Sequence, residues 1–197
     1  MITIWQVPPH GGTVQARAIN ERGTVLGLVN PGEHFSNWYP WMHGAVVDPG
    51  MDASAGPILN DLDQLAAADY CSGFSRAVLW QHGASTPLPL PAGAQYSYPA
   101  AVNNRGQVAG TSHRDGTRPR PVLWDRGRTV WLPATGFDAV TVEHLSDGGT
   151  VAGAGLFSDG ARNALLWHPT HGPSHRPPPQ PAPHGTGPAP GAAPDPS

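Results

Sequence analysis

Residues 101–110, AVNNRGQVAG, are followed by PVLWDRG at residues 121–127, and this pair of segments is the clearest copy of a repeat. Similar pairs of segments are AINERGTVLG with WMHG (18–27, 41–44) and LSDGGTVAG with ALLW (145–153, 164–167), and a more divergent pair is LNDLDQL with AVLWQHG (59–65, 77–83). The recurring tryptophans, which are 39, 44 and 43 residues apart, are Trp41, Trp80, Trp124 and Trp167. A period of about 40–45 residues with several short strands is typical of propeller blades.

Each repeat predicts four short strands. In the clearest copy, residues 99–102 form an apolar first strand, and the following Asn-x-x-Gly forms a tight turn because Asn and Gly tolerate positive φ. Residues 107–112, 122–124 and 129–132 supply the other three strands, and Pro133 ends the last one. The sequence therefore predicts an all-β protein, a β-propeller of four blades of four short antiparallel strands, or a half-ring that pairs with a second copy.

The two ends of the chain differ from the repeats. Residues 1–169 form the predicted repeat domain, whereas residues 170–197 are rich in Pro, Gly and Ala and predict a disordered tail. The last repeat has no fourth strand of its own. Residues 3–8, TIWQVP, resemble the fourth strand TVWLP at 129–133, so we expect the N-terminal strand to pair with the last blade and close the ring.

The charge and composition of the chain indicate which partners, cofactors and compartments to expect. The formal net charge of −3 favours neither nucleic acid nor an anionic membrane as a partner. The N-terminus has no basic start and apolar run of a signal peptide, which predicts a cytoplasmic protein, or a secreted one if the N-terminus is incomplete. We expect no membrane-spanning segment, no metal and no cofactor, because the histidines lack ligand spacing and no phosphate loop is present. The oligomeric state is left open between monomer and homodimer.

The repeats resemble the HAF repeat family of bacterial repeat proteins. The family pattern Ile-Asn-x-x-Gly-x-Val-x-Gly matches residues 19–27 and 102–110, and the second half-motif, His-Ala-Phe-Leu-Trp, matches in part at residues 76–80 and 163–167. The family's His and Phe are absent from every copy. The resemblance implies a propeller and no shared catalytic residues.

Candidate site residues come from the position three residues before each Asn turn. That position holds Arg17, Pro57, Ala100 and Glu143, and His144 lies beside the last of these. Two charges in an otherwise apolar column make Arg17, Glu143 and His144 the candidate binding residues, and no catalytic residue is assigned. The favoured function is a non-enzymatic binding or interaction module for a protein or carbohydrate ligand. The alternative is a propeller hydrolase, acting on a sugar or lactone at the channel mouth.

Overall fold

The computed structural model describes residues 13–30, 37–71 and 73–169, and their secondary structure consists of fifteen strands, β1–β15, in four antiparallel sheets. Sheet 1 contains β1 (Thr13–Ile19), β2 (Val25–Asn30), β3 (Asn37–Met42) and β4 (Ala45–Val46). Sheet 2 contains β5 (Ala53–Leu59), β6 (Leu65–Cys71), β7 (Phe74–Gln81) and β8 (Ala84–Pro87). Sheet 3 contains β9 (Tyr96–Val102), β10 (Val108–His113), β11 (Arg120–Asp125) and β12 (Arg128–Trp131). Sheet 4 contains β13 (Ala139–Leu145), β14 (Val151–Leu156) and β15 (Arg162–Trp167).

The strands predicted for residues 99–132 are confirmed, and each sheet is a simple meander with neighbouring strands adjacent in sequence. Sheet 4 has three strands among the described residues. The N-terminal strand expected to complete it, and the Pro-rich tail, lie outside the described residues. Within those residues there is no helix of the length and apolarity that a membrane crossing requires.

The sheets pack face to face in sequence order, in the manner of propeller blades. Contacts join sheet 1 to sheet 2, sheet 2 to sheet 3, and sheet 3 to sheet 4, and they are more extensive at the last two interfaces than at the first. The first strands of consecutive sheets lie beside one another. Three clusters of buried apolar residues fill these three interfaces. Among the described residues no such cluster joins sheet 4 back to sheet 1, so the closed ring stays a prediction.

Strand register explains which residues fill the interfaces. In each sheet the recurring tryptophan on the third strand lies in one row with an apolar residue of the second strand and one of the first. We call this row the Trp row. The four Trp rows are Ile19–Val25–Trp41, Leu59–Leu65–Trp80, Val102–Val108–Trp124 and Leu145–Val151–Trp167. The adjacent row, on the opposite face, is here called the Leu row; it comprises Ala18–Leu26–Pro40, Ile58–Ala66–Leu79, Ala101–Ala109–Leu123 and His144–Ala152–Leu166.

Each interface places the Leu row of one sheet against the Trp row of the next. Leu79 of sheet 2 and Trp124 of sheet 3 share one cluster, and Ala109 of sheet 3 and Val151 of sheet 4 share another. Trp80 and Trp124 are buried, at 4% and 2% exposure, so these two recurring tryptophans belong to the core. The indole N–H of Trp124 also donates to the carbonyl of Pro89 on the preceding sheet, at 2.8 Å.

The position three residues before each Asn turn, from which the candidate site residues were chosen, lies at a β-bulge. Arg17 and Glu143 each lie at a register shift where two residues of the first strand oppose one of the second, as does Ala100. The bulge brings the first-strand backbone close to a recurring glycine of the second strand. A Cβ on Gly110 would collide with the carbonyl oxygen of Tyr98, which explains why glycine recurs at this position.

The Asn turns follow the prediction, including the divergent one. Gly23, Gly106 and Gly149 have positive φ at the fourth turn position, as the Asn-x-x-Gly pattern requires. In the second repeat Asp63 stands there and adopts a φ of 63°. Asp is among the few non-glycine residues that tolerate this conformation, so the turn is preserved without its glycine.

The asparagines that open these turns connect the four sheets. The side-chain amide of Asn20 donates to the carbonyl of Asn60 at 2.9 Å, and that of Asn60 to the carbonyl of Asn103 at 2.8 Å. The amide of Asn103 donates to the carbonyl of Ser146 at 2.9 Å. This chain of bonds, the Asn ladder, ends at sheet 4 because Ser146 replaces the asparagine there.

Candidate ligand-binding surface

The structure places the predicted site residues on the two end sheets. Arg17 lies on β1 of sheet 1, and Glu143 and His144 lie on β13 of sheet 4; all three side chains are exposed. The Glu143 carboxylate accepts a hydrogen bond from the Thr141 hydroxyl at 3.1 Å. Among the described residues no ion pair joins Arg17 to Glu143. A closed ring of four blades would make sheets 1 and 4 neighbours and bring Arg17 near Glu143, and this approach stays a prediction.

A cluster of aromatic side chains, here called the aromatic end, lies at the opposite end of sheets 2 and 3 from the Asn turns. The imidazole of His113 stacks on Tyr96 with ring centroids 4.9 Å apart and on Tyr98 with centroids 5.9 Å apart. The ring of Phe74 packs at a tilt against Tyr96, at 5.5 Å. Phe74 is 44% exposed and neighbouring Tyr70 is 52% exposed, so the cluster presents apolar area to solvent.

Strand geometry assembles the aromatic end. Tyr96 begins β9 and His113 ends β10, and these two residues are paired across the strands. Tyr98 lies two residues after Tyr96 and therefore points to the same face. Tyr70 and Phe74 flank the connection between β6 and β7 on the adjacent sheet.

Hydrogen bonds fix several polar groups at the aromatic end. A hydrogen bond to the carboxylate of Asp115, with help from burial, raises the pKa of the Tyr96 hydroxyl. The Asp115 backbone N–H donates to the side-chain oxygen of Gln95 at 3.1 Å. The Nδ1 atom of His113 is buried, and it has no hydrogen-bond partner in the part of the chain that the structure describes.

An arginine-lined cleft of about 320 Å³ adjoins the aromatic end through His113. Its walls include Arg114, Arg118, Arg120 and Trp131. The Arg120 guanidinium lies over the Trp131 ring, 4.4 Å from the ring centroid, in cation–π geometry. The Arg118 guanidinium is anchored 2.7 Å from the Asp138 carboxylate. Cationic and aromatic groups therefore share one concave surface.

Sequence reasoning did not select this surface. The signal available was the alternation of aromatic and small residues in Tyr96-Ser97-Tyr98, together with the arginines of residues 114–120. These segments become one surface only when β9 pairs with β10 and sheet 3 packs on sheet 2. In residues 13–30, 37–71 and 73–169 no group of three or more metal-ligating side chains comes together.

Comparison with known proteins supports the fold. No protein-family model matches the chain, and no curated protein matches it either. Among solved structures, the chain is similar to the β-propeller domain of the trilobed protease from Pyrococcus furiosus, described as having an open velcro topology, with a TM-score of 0.53 and 13% identity. The match covers 78% of this chain and 49% of that chain, so the chain spans about half the length of its structural neighbour. The all-β propeller architecture predicted from the repeats is thereby supported.

Proposed function

We propose that this protein is a non-enzymatic interaction module, and that the aromatic end with its arginine-lined cleft binds a polypeptide carrying acidic residues. The observation that carries the proposal is the proximity of exposed Tyr70 and Phe74 to a cleft lined by three arginines. Tyrosine, tryptophan and arginine are the residue types most enriched at the energetic centres of protein interfaces.

A polypeptide fits this surface better than a carbohydrate does. Sugars stack on open aromatic faces, whereas the His113 ring lies between the Tyr96 and Tyr98 rings, at interplanar angles of 16° and 13°, so these rings cover one another. The accessible groups include the Tyr70 and Phe74 side chains and the guanidinium groups of the cleft, and guanidinium groups suit peptide carbonyls and carboxylates.

The proposal can be tested by selecting peptides from a random displayed library on the immobilised protein. We expect enrichment of acidic peptides, and a loss of at least tenfold in their affinity for Phe74→Ser and for Arg114→Ala. Leu62→Ser is the matched control, because Leu62 is 43% exposed and Phe74 is 44% exposed, but Leu62 lies in the Asn turn at the other end of sheet 2. The control should bind with wild-type affinity.

Two outcomes would contradict the proposal. Binding to a glycan array that Phe74→Ser abolishes would assign the same surface to a carbohydrate. Turnover of a sugar or lactone substrate that is lost with Glu143→Gln would favour the hydrolase alternative at the channel mouth.

A further inference from the structure

We infer that the exposed faces of sheets 1 and 4 bind each other between two copies of this chain, so that two chains form one closed ring of eight sheets. The face of sheet 1 that points away from sheet 2 carries the Trp row Ile19–Val25–Trp41, in which Ile19 is exposed and the other two residues are half-buried. The face of sheet 4 that points away from sheet 3 carries the Leu row His144–Ala152–Leu166, in which Ala152 is half-buried and the other two residues are exposed. These are the two kinds of row that meet at all three interfaces within the chain.

Each of the two faces presents one exposed apolar side chain. Ile19 is 70% exposed, whereas Val102, its counterpart in sheet 3, packs against a core cluster. Leu166 is 62% exposed, whereas its counterpart Leu79 in sheet 2 is 8% exposed. Ile19 and Leu166 thus occupy positions that are buried in the inner sheets, but they lie exposed on sheets 1 and 4. Exposed apolar residues at such positions indicate surfaces that bind a partner.

The hydrogen bonds of the Asn turns also support the association of sheet 1 with sheet 4. At each internal interface the residue after the turn Asn donates its backbone N–H to a side chain of the next sheet: Glu21 to Asp61 at 3.0 Å, Asp61 to Asn104 at 2.9 Å and Asn104 to Asp147 at 2.8 Å. In the part of the chain that the structure describes, the series begins with the Glu21 side chain and ends with the Asp147 N–H. A sheet 1 placed against sheet 4 would bring this unused acceptor to this unused donor.

Charge at the bulges also favours this pairing. The bulge column is apolar in the two inner sheets, where it contains Pro57 and Ala100, but it contains Arg17 in sheet 1 and Glu143 in sheet 4. Opposite charges therefore occur at equivalent positions on the two exposed sheets, where the Arg17 of one copy would face the Glu143 of the other. Such complementarity fixes the order of partners more than it adds affinity.

The occupant is a second copy because the rows, hydrogen-bonding groups and charges on the two end sheets match those that join consecutive sheets within one chain. Among the described residues no buried apolar cluster joins sheet 4 to sheet 1. Two copies related by a twofold axis form two identical sheet 4–sheet 1 interfaces, which leaves neither face open.

The first test is molecular mass by gel filtration with light scattering. We expect twice the mass of one chain for the wild type, and the mass of one chain for Leu166→Glu and for Ile19→Glu. Both substitutions are at positions exposed in the single chain, so circular dichroism and melting temperature should stay at wild-type values. The control is Val130→Glu, because Val130 is 51% exposed but lies on neither end face; this variant should remain a dimer.

The second test identifies the faces that meet. Arg17→Cys and Glu143→Cys are made in separate chains that also carry Cys71→Ser, and the two chains are mixed under mild oxidation. A crosslinked heterodimer is expected, since equivalent bulges should come within disulfide distance. A single-chain mass for the wild type would overturn the inference. Crosslinking only when both cysteines are in the same chain would also overturn it, and would show that four sheets close by themselves.

A third variant should strengthen the interface. Ser146→Asn gives the last turn the amide that the other three turns have, and that amide can donate to the Asn20 carbonyl of the second copy. Each of the two identical interfaces gains one hydrogen bond, and two bonds of about 1 kcal/mol each predict a dimer dissociation constant about thirtyfold lower. An unchanged dissociation constant would contradict a continuation of the Asn ladder between copies.

Discussion

The side-chain amide of Asn60 donates to the backbone carbonyl of Asn103, 2.8 Å away and 43 residues along the chain. The same asparagine uses its Oδ1 atom to accept the N–H groups of Leu62 and Gln64 in its own turn. One buried side chain therefore shapes a tight turn and joins two sheets. This double role explains why asparagine recurs before the turn.

Asn60→Ala should destabilise the protein by about 2–4 kcal/mol, because it removes the four hydrogen bonds of the Asn60 side chain and leaves buried partners unpaired. Chemical denaturation with urea measures the change in the free energy of unfolding. Asn163→Ala, an exposed position on β15, is the control and should stay within about 0.5 kcal/mol of the wild type. Equal effects for the two variants would remove the structural role assigned to the ladder.

Gly110→Ala should cost at least about 2 kcal/mol, because its Cβ would collide with the Tyr98 backbone, which the bulge holds in place. The matched substitution Gly148→Ala should be nearly neutral. There the nearest atom to a new Cβ is the Ser146 hydroxyl, at 3.5 Å. Thermal melts of both variants compare the two sites, and a neutral Gly110→Ala would mean that the bulge is absent.

Trp124→Ala should cost about 3–5 kcal/mol, as expected for truncating a tryptophan that is 2% exposed. Trp124→Phe keeps most of the ring but loses the N–H bond to Pro89, so it should cost less than Trp124→Ala. The difference is measurable by denaturant titration. Wild-type stability of Trp124→Ala would place this residue on a surface and not between sheets 2 and 3.

Acid should weaken the junction between sheets 1 and 2 through Asp63. Burial raises the pKa of Asp63, but hydrogen bonds from Thr24, Asn20 and Arg22 outweigh it and lower the pKa below its ordinary value of 3.8. A lowered folded-state pKa stabilises the fold above pH 3.8, and this contribution is lost as pH falls through the folded-state value. Asp63→Asn should therefore be less stable than the wild type at pH 6, and the difference should shrink below pH 3.8. A difference that is constant with pH would contradict this.

Local chemistry made the strands and turns predictable. Asn at the start of a turn and Gly at its fourth position specify the backbone directly, and apolar runs such as residues 122–124 specify the strands between turns. The second repeat kept its turn because Asp63 tolerates positive φ.

The links between sheets could not be predicted in this way. The sequence selected the column of Arg17 and Glu143, but its bulges depend on hydrogen-bond register, which residue type alone does not reveal. The Asn ladder depends on how one sheet is rotated against the next. The aromatic end combines Phe74 and His113, which are distant in sequence and meet only after the sheets have packed.

A crystal structure at a resolution that places side-chain amides would show whether four consecutive sheets pack Leu row against Trp row and are joined by the Asn ladder. We expect the amides of Asn20, Asn60 and Asn103 each to contact the carbonyl of the next turn, with Trp80 and Trp124 between sheets. Sheets stacked as a two-layer sandwich, or an Asn60 amide directed into solvent, would contradict it.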